Sequence, residues 1–183
     1  MKGVCMIKKV LFIVMPKDFQ DYEFNVPYTA LNEARFVVDI AGLTPGDAHG
    51  KLGLKITPNL QLTTMKEADF DTYAALVIPG GPGSSTYLWG NKKVIDTAWY
   101  FNDKKKIVAT ICHACSVPAE AGLLKGKKAT IYPDAPAKAL FEKNGVKFVD
   151  QGCITLKENK IITAQSPQFV KEFSQAIISL LKE

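Results

Sequence analysis

The residues with the clearest chemical potential lie in one short segment, VATICHACSVPAEAG, at positions 108–122. Two cysteines, Cys112 and Cys115, stand three residues apart in it, and His113 directly follows the first. Cys112 can be interpreted as a nucleophile, as one half of a redox pair with Cys115, as a metal ligand or as a small core residue. The elements that surround the segment decide how these interpretations are weighed.

Short apolar runs alternate with helical patterns along the chain, which indicates one α/β domain over residues 1–183 with a mostly parallel sheet. Runs that are almost continuously apolar predict buried strands: residues 9–15, 36–42, 75–81 and 106–112. Further strand-like pieces are 128–132, 146–150 and 160–165. Helices are predicted at 22–34, 93–103, 115–124 and 136–143, and a last amphipathic helix begins at Pro167.

The predicted strand at 106–112 runs directly into Cys112, and a helix is predicted to begin almost at once. A strand, one sharply turned residue and a helix form the layout of a nucleophile elbow. The helix N-terminus and His113 would both favour the thiolate, so this layout predicts a lowered pKa for Cys112. Cys5 and Cys153 lie in strand-like surroundings and are interpreted as structural residues.

A second predicted strand ends in ALVIPGGPGSS, which contains Gly80, Gly81 and Gly83. Taken alone this segment is a turn, since it matches neither a Walker loop nor the dinucleotide fingerprint. Glycine does, however, let backbone N–H groups approach an anion closely. Sites in open α/β sheets lie beyond the carboxyl ends of strands, so the N–H groups of Gly81 and His113 are candidates for an oxyanion hole.

Three carboxylates follow the first predicted strand, namely Asp18, Asp21 and Glu23. A carboxyl group at this edge of the sheet could tune the thiol or take a proton. Acidic residues are also common as simple caps in the first turn of a helix. Spacing alone does not choose among the three.

Composition argues against several classes of function. The formal charge is +5, but Arg35 is the lone arginine and the lysines are scattered, so no nucleic-acid interface is predicted. No segment approaches the ~20 apolar residues of a membrane helix, so no membrane association is predicted. The apolar run that ends at Pro16 lacks a signal-peptide cleavage site, which predicts a cytoplasmic protein with reduced cysteines. His49 is the only other histidine, and no metal site is predicted.

The chain resembles the ThiJ/PfpI family in three motifs and in their order. These are DFQDYEFNVPYTAL, ALVIPGG and ICHACSVPAEAGLLKGKKAT, followed by YP and by ITAQSP before the C-terminal helix. The resemblance implies a three-layer sandwich of the flavodoxin-like, class I glutamine amidotransferase-like type. The family contains intracellular proteases, glutathione-independent glyoxalases, proposed deglycases, stress chaperones and relatives of the human parkinsonism protein.

The resemblance also implies roles for individual residues. Cys112 matches the nucleophile at the elbow, and Glu23 matches a glutamate that approaches the thiol in its protonated form. Gly80 and Gly81 match a glycine pair at the oxyanion pocket. His113 matches a catalytic histidine that pairs with an acidic residue, which the sequence does not identify.

The family likeness predicts an enzyme without a cofactor, acting on a small reactive carbonyl compound or on peptides, and assembled as a homo-oligomer. The alternative is a non-catalytic redox sensor or stress chaperone that is oxidised at Cys112. Many relatives have proline at the position of Cys115. The C-x-x-C spacing makes Cys115 a candidate redox partner of Cys112, although packing as a small residue inside the helix is the favoured interpretation.

Overall fold

The computed structural model describes residues 8–183. Its strands and helices follow in the order β1 (Lys9–Val14), β2 (Lys17–Phe19), α1 (Asp21–Glu33), β3 (Val37–Gly42), β4 (Ala48–Gly50), β5 (Lys55–Ile56), β6 (Leu60–Gln61), α2 (Glu67–Phe70), β7 (Tyr73–Ile78), α3 (Ser84–Tyr87), α4 (Lys92–Asp103), β8 (Ile107–Ile111), α5 (Ser116–Glu120), β9 (Lys128–Ala129), α6 (Ala135–Lys143), β10 (Lys147–Phe148), β11 (Cys153–Leu156), β12 (Ile161–Ala164) and α7 (Val170–Lys182). Short 3-10 turns occupy Leu62–Thr64, Cys112–Cys115, Lys157–Asn159 and Pro167–Phe169.

The main sheet has seven strands in the order β11-β12-β8-β7-β1-β3-β6. Every neighbouring pair is parallel except β11 and β12, which are antiparallel. Val10, Phe12 and Ile13 of β1 are completely buried, as are the central residues of β7 and β8. The near-continuous apolar runs of the sequence are explained by this burial on both faces of the sheet.

Helices cover both faces of the sheet. On one face α1 and α7 pack against each other, with α1 also against β3 and α7 against β8 and β12. On the other face α4 packs against β7 and β8, and α5 lies between α4 and α6. The three-layer α/β sandwich predicted from the sequence is confirmed. Within the part of the chain that the structure describes, no helix is both long enough and apolar enough to cross a membrane.

The helix predicted at 115–124 is shorter than expected. The chain instead makes a 3-10 turn over Cys112–Cys115, and α5 covers only Ser116–Glu120. Gly122 adopts a φ of 75°, a left-handed conformation that ends a right-handed helix. The helical region that begins at the elbow is therefore short, which weakens any dipole that it presents to Cys112.

The topology brings four strand ends to one edge of the sheet. The register pairs Ile78 with Thr110 and Ile111 with Ala164, so β7, β8 and β12 end at nearly the same level. The residues that follow them are the Pro-Gly-Gly segment, Cys112 and Gln165. Beyond β1, the chain forms β2 and enters α1, which brings the acidic segment to the same edge.

An aromatic cluster fixes the start of α1 against the sheet. Phe24 is buried, and its ring centroid lies 5.5 Å from Phe12 of β1, 5.7 Å from Phe19 of β2 and 5.5 Å from Tyr28. Aromatic contacts of this kind contribute beyond the burial of area alone. The cluster therefore sets where the residue before Phe24, Glu23, points.

We expect Phe24→Ala to lower the free energy of unfolding by about 3–5 kcal/mol, because it leaves a cavity among three rings. Chemical denaturation followed by circular dichroism measures this change. Tyr22→Ala on the same turn is the matched control, since Tyr22 is 57% exposed and its loss should change stability by less than about 0.5 kcal/mol. Equal destabilisation by both variants would contradict the anchoring role of Phe24.

Candidate active site

Cys112 occupies a sharp turn between β8 and the 3-10 turn that precedes α5. Its φ is 59°, a left-handed conformation that a non-glycine residue adopts only at a cost of about 1–3 kcal/mol. Its side chain is almost fully buried yet lies at the wall of a cavity. This geometry is that of a nucleophile elbow, in which the backbone turn projects one side chain from the strand end.

Glu23 lies in the first turn of α1 and is completely buried. Its Oε2 accepts a hydrogen bond of 2.9 Å from the backbone N–H of Gly80, and its carboxyl group lies close enough to the Cys112 thiol for each group to influence the pKa of the other. Burial raises the pKa of Glu23 to about 8, although the contacts with Gly80 and Cys112 act in the opposite direction. Glu23 therefore carries its proton at neutral pH and can donate it in a hydrogen bond to sulfur.

The pKa of Cys112 does not follow the expectation from the sequence. Burial is the largest influence and raises the pKa of the thiol, a charge on Glu23 raises it further, and the N–H of His113 lowers it. The lowered pKa predicted from the helix N-terminus and His113 was wrong, because burial of the thiol outweighs the influences that favour the thiolate. Protonation of Glu23 removes its charge, and with it one of the influences that raise the pKa of the Cys112 thiol.

His113 connects Cys112 to a carboxylate. Its Nδ1 lies 3.7 Å from Sγ of Cys112, and its Nε2 lies 2.7 Å from Oδ2 of Asp134. A carboxylate only accepts hydrogen bonds, so the proton of the neutral ring is assigned to Nε2 and the lone pair of Nδ1 faces the thiol. The Tyr132 ring packs 4.8 Å from the His113 ring, and Trp89 donates from Nε1 to the His113 carbonyl.

Asp134 is the acidic partner that sequence reasoning missed. It is the N-cap of α6, where its Oδ1 accepts a hydrogen bond of 2.9 Å from the N–H of Ala137. An aspartate just before a predicted helix has the pattern of a simple cap, which conceals a second role. The sequence signal that could have indicated this second role is the position of the YPD segment at the end of the predicted strand 128–132.

The two glycines at the end of β7 have different roles. The N–H of Gly80 donates to Glu23, and its carbonyl accepts from the N–H of Gln20, so both of its backbone groups are occupied. The N–H of Gly80 is thus already engaged by Glu23, and the oxyanion-binding role expected for Gly80 stays a prediction. Gly81 lines the cavity with a φ of 127°, and a Cβ there would lie 2.5 Å from the Asp18 carbonyl oxygen. The close approach explains why glycine is needed.

The structure shows different contacts for the three acidic residues among which sequence spacing does not choose. Only Glu23 reaches Cys112. The Asp21 carboxylate accepts hydrogen bonds from the N–H groups of Leu52 and Leu54, and so holds the hairpin between β4 and β5. Asp18 adopts a left-handed φ of 57°, and its carbonyl oxygen accepts a hydrogen bond from the N–H of Gly83 in the turn after β7.

The cavity above Cys112 has a volume of about 510 Å³. Its walls come from the ends of four strands and from the hairpin that Asp21 holds. The lining residues are Gln20, Glu23, Lys51, Gly81, Pro82, Cys112, His113, Tyr132, Pro133, Gln165, Ser166, Pro167 and Gln168. The volume is that of a site for a small molecule.

Comparison with known proteins identifies the family of this chain. Residues 8–180 match the model of the DJ-1/PfpI family. The chain belongs to the DJ-1/PfpI family. It is similar to the protein MJ0967 of Methanocaldococcus jannaschii, with 38% identity over 96% of this chain and 83% of that protein. It is also similar to the deglycase PfpI of Pyrococcus furiosus, with 30% identity over 95% of this chain and 99% of that protein.

Solved structures of the DJ-1/PfpI family share this architecture. The ThiJ/PfpI domain protein from Brachyspira murdochii superposes with a TM-score of 0.87 over 96% of this chain and 97% of the other, at 23% identity. DJ-1 of Schizosaccharomyces pombe superposes with a TM-score of 0.80 over 95% of this chain and 97% of the other, at 20% identity. At such identities the likeness concerns the fold.

Cys115 and Cys153 of this DJ-1/PfpI chain do not line the cavity. Cys115 is completely buried, and its Sγ lies 3.4 Å from Oγ1 of Thr110 and 3.5 Å from the carbonyl oxygen of Ala164. Burial raises the pKa of Cys115 to about 12 and that of Cys153 to about 11. Cys5 lies outside the described residues. Among residues 8–183, no cluster of three or more metal-binding side chains occurs.

The raised pKa of Glu23 predicts a pH dependence of stability. The unfolded chain ionises Glu23 near pH 4.5, whereas the folded protein keeps the proton to about pH 8. Between these values the folded state binds more protons, so the free energy of unfolding falls as pH rises, by up to about 1.4 kcal/mol per pH unit. Denaturation midpoints measured from pH 5 to pH 8 test this slope.

Glu23→Gln is the variant that isolates this slope, since the amide does not titrate and still offers an oxygen to the N–H of Gly80. The slope between pH 5 and pH 8 should become shallower in this variant. The exposed Glu33→Gln in the same helix is the control and should keep the wild-type slope. An unchanged slope in Glu23→Gln would show that Glu23 is not the titrating group.

Proposed function

We propose that this protein is a cysteine-dependent enzyme that converts small 2-oxoaldehydes to 2-hydroxy acids without glutathione. The observation that carries the proposal is the connected series from Cys112 through His113 to Asp134 at the wall of a 510 Å³ cavity. A nucleophile, a base within reach of it and a carboxylate that orients the base form the arrangement needed for covalent catalysis. The name of the relative PfpI, a deglycase, supports a carbonyl compound as substrate.

The first step is addition of Cys112 to the aldehyde. The thiol proton passes to Nδ1 of His113, and a sulfur lone pair forms a bond to the aldehyde carbon. The π electrons of the carbonyl move to oxygen, which accepts hydrogen bonds from the N–H groups of Gly81 and His113 and then a proton from the imidazolium. Because burial opposes a free thiolate, a base at 3.7 Å from sulfur is required at the moment of attack.

The second step moves a proton between carbons. His113 removes the hydrogen of the carbon bonded to sulfur as a proton, giving an enediolate. The hydroxyl proton on that carbon passes to the neighbouring oxygen, and the imidazolium returns its proton to the neighbouring carbon. The first carbon is oxidised to a thioester while the second is reduced to an alcohol, so no external oxidant is needed. Water then attacks the thioester, the carbon–sulfur bond breaks, sulfur takes a proton and the 2-hydroxy acid leaves.

Glu23 has a supporting role in this scheme. Its protonated carboxyl group donates a hydrogen bond to sulfur whenever sulfur carries negative charge. A neutral acid provides this donor without adding a second negative charge beside the nucleophile. Peptide hydrolysis would use the same thioester chemistry, but the volume of the cavity favours a small carbonyl compound over a folded or extended polypeptide.

Turnover of methylglyoxal to lactate, followed by proton NMR, tests the proposal. We expect Cys112→Ala to abolish turnover, because no carbon–sulfur bond can form. Cys153→Ala is the matched control and should keep wild-type turnover, since Cys153 lies outside the cavity. Persistent turnover in Cys112→Ala, or none in the wild type, would overturn the proposal.

Asp134→Asn tests the orienting carboxylate. Asparagine caps a helix as well as aspartate does, so α6 should remain intact. It can, however, present its N–H₂ group to Nε2 and favour the wrong tautomer of His113, and we expect kcat to fall by roughly 10²-fold or more. Asp96→Asn, on the exposed face of α4, should leave kcat unchanged. An unchanged kcat in Asp134→Asn would exclude Asp134 from the catalytic series.

A further inference from the structure

Gln165 occupies a position beside Cys112 that the proposed reaction does not yet use. Ala164, the last residue of β12, pairs with Ile111, the last residue of β8. Gln165 and Cys112 are therefore the next residues of two adjacent parallel strands, which run about 4.8 Å apart. Both residues line the same cavity.

The side chain of Gln165 is held in one orientation. Its Nε2 donates to Oδ1 of Asp150 at 2.7 Å and lies 3.5 Å from Oγ1 of Thr130. The carboxylate of Asp150 can only accept hydrogen bonds, so the amide nitrogen must be the atom that faces it. The backbone N–H of Gln165 also donates to the carbonyl of Gly152, which fixes the main chain.

This orientation leaves the amide oxygen as an acceptor. Gln165 is 8% exposed and lines the cavity. Within residues 8–183, Oε1 of Gln165 receives no hydrogen bond, although the amide nitrogen has two contacts. Oε1 is not one of the fully buried side-chain atoms without a partner, so it is open to the cavity and can accept a hydrogen bond from a ligand there.

We propose that Gln165 is a specificity-determining residue that selects 2-oxoaldehydes bearing a hydroxyl group on the carbon next to the ketone. Its Oε1 accepts a hydrogen bond from that hydroxyl while Cys112 bonds to the aldehyde carbon at the other side of the ketone. Asp150 is a positioning residue, because it holds the amide nitrogen and thereby turns the oxygen to the substrate. The substrate class in this inference rests on the proposed function, whereas the recognition of a hydroxyl group by Gln165 does not.

Two 2-oxoaldehydes that differ by one hydroxyl test the selection. Hydroxypyruvaldehyde carries the hydroxyl, and methylglyoxal has hydrogen in its place. One neutral hydrogen bond contributes about 1 kcal/mol, so kcat/KM of the wild type should favour hydroxypyruvaldehyde by roughly fivefold. Gln165→Leu should lose this preference, so that the ratio of kcat/KM for the two substrates falls to about one. Gln151→Leu, an exposed glutamine outside the cavity, is the matched control and should keep the preference.

A second readout does not depend on turnover. The corresponding products, glycerate and lactate, differ by the same hydroxyl and can protect Cys112 from alkylation by iodoacetamide. Glycerate should protect at lower concentration than lactate in the wild type and in Gln151→Leu, and the two should be equal in Gln165→Leu. Asp150→Ala, which alters an exposed side chain, should reduce the difference and serves if Gln165→Leu does not fold.

The outcomes separate the two proposals. Turnover with an identical substrate ratio in wild type and Gln165→Leu, together with equal protection by both acids, would overturn the inference about Gln165. Absence of turnover in the wild type, with protection by glycerate that Gln165→Leu abolishes, would overturn the proposed reaction and support the hydroxyl recognition.

Discussion

The buried carboxyl group of Glu23 is the constraint on which the arrangement of the site depends. It must lie where the N–H of Gly80 and the sulfur of Cys112 can both reach it. A Cβ on Gly80 would lie 2.5 Å from the carbonyl oxygen of Ile111 and 2.9 Å from Cβ of Cys112, so only glycine allows β7 and β8 to approach this closely. The ring cluster around Phe24 then fixes α1 at the required height.

Two further carboxylates connect the stability of the fold to the shape of the site. Asp21 holds the backbone of the β4–β5 hairpin, and that hairpin supplies Lys51 to the cavity wall. Asp134 divides its two oxygens between the N-terminus of α6 and the ring of His113. Each carboxylate satisfies backbone or side-chain donors that burial would otherwise leave unpaired, so the site gains rigidity from contacts that the fold already requires.

The sequence predicts the sheet better than it predicts the site. Almost continuous apolar runs located β1, β3, β7 and β8, because strands covered on both faces can hold little else. Long-range contacts leave no such pattern: the choice of Glu23 over Asp18 or Asp21 came from family resemblance. Asp134 has the pattern of a helix cap, and the separate roles of Gly80 and Gly81 depend on a hydrogen bond that spans 57 residues. The pKa of Cys112 depends on burial, which a local motif does not specify.

Cys112 and Glu23 together form a pair that accommodates one negative charge more readily than two. Burial opposes charge on either group, and a charge on Glu23 raises the pKa of Cys112 further. Below about pH 8 Glu23 is neutral, so the sulfur of Cys112 can carry the negative charge that develops during the proposed reaction. The N–H of His113 and the proton of the Glu23 carboxyl group can then stabilise that charge. Above that pH the charge of the Glu23 carboxylate beside the thiol opposes formation of the thiolate. The burial that keeps Glu23 protonated therefore also sets the upper pH limit at which it can support Cys112 as the proposed nucleophile.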